Sequence, residues 1–196
     1  MHKKPIFLVI ILLAFGICGC TKEEQKAAKN ISDHVKEQKV AQDFMGWNKT
    51  HWGMTENEIL EVFKDKIVRF DQTESYRDGK EFASIGMKDL EIINTKFNVS
   101  FVMDQDTKKL IRVTLQPADK TVIPIMFKIL EMELMEKYGT PFYRDNTSAD
   151  RKTELLAAWY FPSTIIQLGY FAEADLSFRS LSIQYMQNSK KDYDKL

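Results

Sequence analysis

The sequence predicts an α+β fold, built as two tandem helix-strand-strand-strand units. They join into one antiparallel sheet of about six strands, with the helices packed on one face. Three observations carry this expectation. Two apolar helical stripes start near Thr55 and Thr121. Runs of alternating apolar and polar residues follow each stripe. The plan then repeats at an offset of roughly 68 residues, longer than the usual solenoid unit. A helix with one apolar stripe and a small sheet with one apolar face bury each other, which leaves the second sheet face open.

The first helix opens on a capping box, Thr55-x-x-Glu58, with Met54 and Ile59 placed as a hydrophobic staple. Ile59, Leu60, Phe63 and Ile67 continue its apolar face. The second helix is expected from about Thr121 to Tyr138, where Gly139 caps it and Pro141 blocks continuation. Val122, Ile125, Ile129, Met132 and Met135 lie outside its main stripe. A helix this apolar is packed on two sides or presents a surface to a partner, and packing between sheet and sister helix is the expectation.

Strands are predicted over Phe82 to Ile93, Phe97 to Met103 and Ile111 to Leu115 in the first unit. The second unit carries them over Leu155 to Phe161, Ile166 to Tyr170 and Leu181 to Tyr185. Asn94-Thr95, Asp104 to Lys109 and Pro162-Ser163 supply turns. The domain is expected over 44–187, with units of about 44–117 and 118–187. A polar tether (20–43) precedes it and a tail (188–196) follows.

Residues 1–19 read as a signal peptide: His2, Lys3 and Lys4, an apolar run from Ile6 to Ile17, then Ile17-Cys18-Gly19-Cys20. This resembles the bacterial lipobox, which implies that Cys20 is lipidated and becomes the first residue. An ordinary secretory cleavage site would use the same run and leave Cys20 a thiol. Anchored, the protein belongs to the cell envelope, on the outer membrane if the cell is Gram-negative. A flexible tether of this length has a typical reach of roughly 25 Å. Ala27, Ile31 and Val35 fall four apart within it.

Trp52-Gly53-Met54-Thr55-x-x-Glu58-Ile59 resembles the Gly-Met-Thr/Ser helix start of a group of small exported bacterial proteins. That group includes the smallest lipoprotein of the outer-membrane barrel-assembly machinery and the β-lactamase inhibitor protein. The doubled plan is similar to the second and the anchor to the first. The resemblance implies a helix-plus-sheet fold whose open face grips another protein. It transfers no functional residue, and Thr121-Val122-Ile123-Pro124 lacks the motif in the second unit.

Composition narrows the function classes. The 28 basic and 28 acidic residues balance, which offers no net positive charge for nucleic acid. Two cysteines are too few for a disulfide scaffold or a cysteine-rich zinc site. His34 sits in the tether and His51 in an aromatic turn, and no hydrolase, dinucleotide or zincin motif is present. Asp104-Gln105-Asp106-Thr107 lacks the glycine and distant glutamate of a calcium loop and reads as a turn. The chain is therefore expected to be non-catalytic, without cofactor or metal. Its expected partners are the membrane, through the lipid, and another envelope or exported protein. A carrier of a small apolar ligand and an enzyme of unrecognised type are the competing classes.

The period-two count turns Asn98, Ser100, Arg112, Thr114, Gln116, Gln167, Ser182 and Gln184 toward the open sheet face. Tyr160 joins them only if its strand points Trp159 and Phe161 inward. A merely solvated face would carry more Lys and Glu, whereas neutral polar residues with Arg and Tyr suit a protein contact. The aromatic segment Phe44-Met45-Gly46-Trp47 with Trp52 is the other candidate surface; closing the core is its alternative role.

Overall fold

The computed structural model describes residues 43–119, 122–149 and 152–189. The expected signal peptide, Cys20, the expected tether up to residue 42, His34 and residues 190–196 lie outside them. The described residues begin in an irregular segment and enter helix α1 (Glu56–Phe63), followed by a short 3-10 turn, Lys64–Lys66. Strands β1 (Val68–Tyr76), β2 (Glu81–Ile92), β3 (Thr95–Asp104) and β4 (Leu110–Pro117) come next. Helix α2 (Pro124–Tyr138) leads into β5 (Tyr143–Ala149), β6 (Lys152–Tyr160), β7 (Thr164–Glu173) and β8 (Arg179–Gln187).

All eight strands form one sheet in the order β1-β2-β3-β4-β8-β7-β6-β5. Every neighbouring pair is antiparallel, and the two units meet where β4 pairs with β8, from Arg112↔Met186 to Leu115↔Ile183. The expected fold class needs correction here. The sheet has eight strands, not about six under a layer of helices, and the described residues hold two α-helices, of 8 and 15 residues. The two strands the sequence hid are the two edges, β1 and β5. A period-two pattern is written only where one face is buried, and β1 is exposed along most of its length. The polar residues of both edges also discourage pairing with another chain.

The core is one cluster. From the sheet it takes Phe97, Val99, Phe101, Val113, Leu115, Trp159, Ile166, Leu168, Ile183 and Tyr185. Helix α1 adds Ile59 and Phe63, and α2 adds Phe127, Leu130 and Leu134. The capping box of α1 forms as read: Glu58 N–H donates to the Thr55 hydroxyl, and the Glu58 carboxylate accepts from Thr55 N–H at 2.6 Å. At the far end of α2, Gly139 adopts φ 80°, and the buried indole of Trp159 donates to its carbonyl at 2.7 Å.

Helix α2 corrects a second expectation. It is packed on one side only. Ile125, Ile129 and Met132, one helical stripe apart from the buried residues, are exposed at 52%, 41% and 70%.

Candidate functional site

Ladder register places the outward side chains in rows that cross the sheet. Ser100 on β3 pairs with Thr114 on β4, Thr114 with Gln184 on β8, and Gln184 with Gln167 on β7. Four hydrogen-bonding, uncharged residues thus stand side by side on four adjacent strands. Gly86 extends the row at β2 and Ala158 at β6. A side chain at Gly86 would collide with the Phe70 ring and the Val99 carbonyl, so glycine lets β1 fold its aromatic residue against the sheet.

The next row has a different character. Arg112 pairs with Met186, Met186 with Ile165, and Ile165 with Tyr160. Trp159 and Phe161 are buried, which settles that Tyr160 points outward with the others. Asn98 and Gln116 pair with each other in a third row, and Ser182 stands beside Gly169. All nine residues singled out from sequence therefore share one face. Asn98 and Gln116 are exposed and the other seven half-buried.

Sequence reasoning missed the apolar members of this face, Ile165 and Met186. Each sits next to an inward apolar residue, Ile166 and Tyr185, so the doublets blur the alternation. It also missed the partner of Arg112. Glu81, at the start of β2, accepts from Arg112 Nη2 at 2.6 Å; the side chains are only 8% and 13% exposed. Arg77 approaches the other Glu81 oxygen at 3.2 Å, and the Arg112 guanidinium lies 5.3 Å from the Tyr76 ring centre. Burial pushes Arg112 below its usual pKa, opposed by the Glu81 carboxylate. Tyr76, desolvated and bonded to Glu74, is pushed up to about 12. The one ionic residue expected on the face is thus already neutralised within the protein.

The aromatic segment closes the core. Trp47 is buried against Phe63, Phe101 and Tyr185, and Phe44 meets Tyr138 and Phe161 edge-on at 4.9 Å. Trp52 donates its indole N–H to Thr164. His51 is exposed, its Nδ1 3.3 Å from the Trp52 carbonyl. Asp104 caps its own turn, accepting from the Thr107 N–H and hydroxyl at 2.8 Å. Among the described residues no three His, Cys, Asp or Glu side chains gather around a point where a metal could sit. No helix among them is long and apolar enough to cross a membrane.

Grooves lie at the rim of the molecule. One of about 490 Å³ runs beside Lys152, Phe171 and Glu173, and one of about 370 Å³ beside Asn94, Lys96 and Pro117. A notch of about 50 Å³ between the β2–β3 turn and α2 is lined by Ile92, Ile93, Phe97 and Ile129. The chain matches no family model, no curated protein and no solved structure.

Proposed function

We propose that this chain is a non-catalytic, lipid-anchored envelope protein that grips another envelope or exported protein with the outward rows of its sheet. One observation carries the reading. A row of neutral hydrogen-bonding residues, Ser100, Thr114, Gln184 and Gln167, lies directly beside a row holding Arg112, Met186, Ile165 and Tyr160. Interface centres are depleted of Lys, Glu and Asp and enriched in Tyr and Met; both rows lack the first three, and the second presents Tyr160 and Met186 beside the internally paired Arg112. Backbone ladders on both sides fix the strands that carry these side chains, so binding needs no backbone ordering. The N-terminal anchor and the likeness to small envelope lipoproteins support the location.

Crosslinking in the native cell, followed by mass spectrometry of what stays attached, tests this. The variant Gln167→Lys with Gln184→Lys puts two charges into the centre of the face without touching the Arg112–Glu81 pair. It should fold as wild type and lose the captured partner. An unchanged crosslinking pattern would overturn the sheet face as the contact surface.

A further inference from the structure

We infer that α2 is the contact of a parallel homodimer, in which its exposed apolar stripe packs against the same stripe of a second copy. The stripe runs Ile125, Ile129, Met132, at the four- and three-residue steps of a coiled-coil seam. Ile93, at the tip of the β2–β3 hairpin, lines the notch beside Ile129 and is itself exposed. These four side chains leave on the order of 400 Å² of apolar surface open, a size at which a monomer's largest patch is often functional. With a polar rim the contact approaches about 600 Å² per copy, the low end of specific interfaces.

The flanking charges suit a second copy in parallel, while exposed Glu136, at the next seam position, meets its own counterpart at the end of the contact. Exposed Lys128 and Glu133 flank the stripe on opposite sides, five residues apart. With Ile129 and Met132 in the seam, Lys128 takes the g position and Glu133 the following e position. Parallel two-fold pairing sets Lys128 of one copy against Glu133 of the other, twice.

Direction also suits the chain path. Phe44 packs on Tyr138, the last residue of α2, so both chains of a parallel pair leave at the same end of the dimer. With the anchor proposed above, two lipid tethers then reach one membrane. Confinement to a surface raises the effective concentration, so a contact of modest area suffices.

The test is sedimentation equilibrium of the full chain at matched detergent density. Wild type should dimerise. Lys128→Glu and Glu133→Lys should each weaken the dimer at least about tenfold, a loss of about 1.4 kcal/mol, and the double swap should recover most of it. Met132→Glu should abolish the dimer with an unchanged circular dichroism spectrum, and if that variant misfolds, the charge swaps decide. Gln167→Lys with Gln184→Lys should leave dimerisation intact, so failure of the sheet-face reading is seen separately. A wild type that stays monomeric at about 100 µM overturns the inference, as does a double swap that restores nothing.

Discussion

The indole N–H of Trp52 donates to the hydroxyl of Thr164 at 2.8 Å, joining positions 112 residues apart. The same hydroxyl donates to the Phe44 carbonyl, and Asp43 accepts from the N–H and hydroxyl of Ser163. The segment that precedes the first unit is thus stitched onto the β6–β7 turn of the second. The two units are fastened at this clasp and along the β4–β8 ladder. Thr164 is fully buried, so Thr164→Val would leave the Trp52 donor and the Phe44 carbonyl without their partner. It should cost about 2 kcal/mol, read from the denaturant midpoint. A chain ending at Pro117 should aggregate or unfold, and a soluble, independently melting half would refute a single cooperative unit.

Glu81 and Arg112 should behave as a pair. Glu81→Ala leaves a guanidinium stranded at 13% exposure and should cost about 3 kcal/mol. Adding Arg112→Met to that variant should recover most of the loss, because the uncompensated charge is gone. A double-mutant cycle by chemical denaturation measures this, and additive losses would contradict it.

Alkaline pH should destabilise the fold through Tyr76. Its folded pKa, about 12, lies above the ordinary value of 10 because burial and the neighbouring Glu74 disfavour the phenolate. The folded state then holds the proton where the unfolded state has lost it. Stability is full below about pH 10 and falls as pH rises from 10 toward 12. Tyr185, more deeply buried and bonded to Tyr138, adds in the same direction. Between urea midpoints at about pH 8 and about pH 11, Tyr76→Phe should show a smaller drop than wild type.

The β2–β3 hairpin closes through Ile93 and Asn94 at φ 49° and 57°, between the paired Ile92 and Thr95. A two-residue turn with both φ positive wants Asn-Gly, and a β-branched residue there is strained. Ile93→Asn should therefore raise stability by about 1 kcal/mol. A lower denaturant midpoint would show that Ile93 contributes packing at the notch worth more than its backbone strain.

On the proposed lipid anchor, Cys20→Ala should move the protein from membranes to the soluble exported fraction. A variant that is cleaved and still fractionates with membrane would place the anchor elsewhere.

Much of this was legible because burial writes itself into sequence. Thr55 and Glu58 announce the start of α1, and the alternation in β3, β4, β7 and β8 fixes which side chains turn outward. The edges were not legible, since β1 and β5 have too little buried surface to impose a period. Tyr160 could be assigned only once Trp159 and Phe161 were seen inside. Glu81 escaped notice because it lies 31 positions from Arg112 and one residue before the strand predicted to start at Phe82. Nor does any local pattern reveal that β4 meets β8 rather than β5, for that depends on the whole chain returning.

That return has a consequence for how the molecule comes into being. The strand that covers the open side of β4 is the last one made, and Thr114 waits 70 positions for Gln184. As the chain emerges from a ribosome or a translocation channel, four strands are complete while β4 still shows an unpaired rim. Closing so distant a pairing is slow, because the loop entropy falls due before the contact forms. Until β8 is out, that rim stays unpaired and open to other β-edges, and the nascent chain cannot lock into its finished shape.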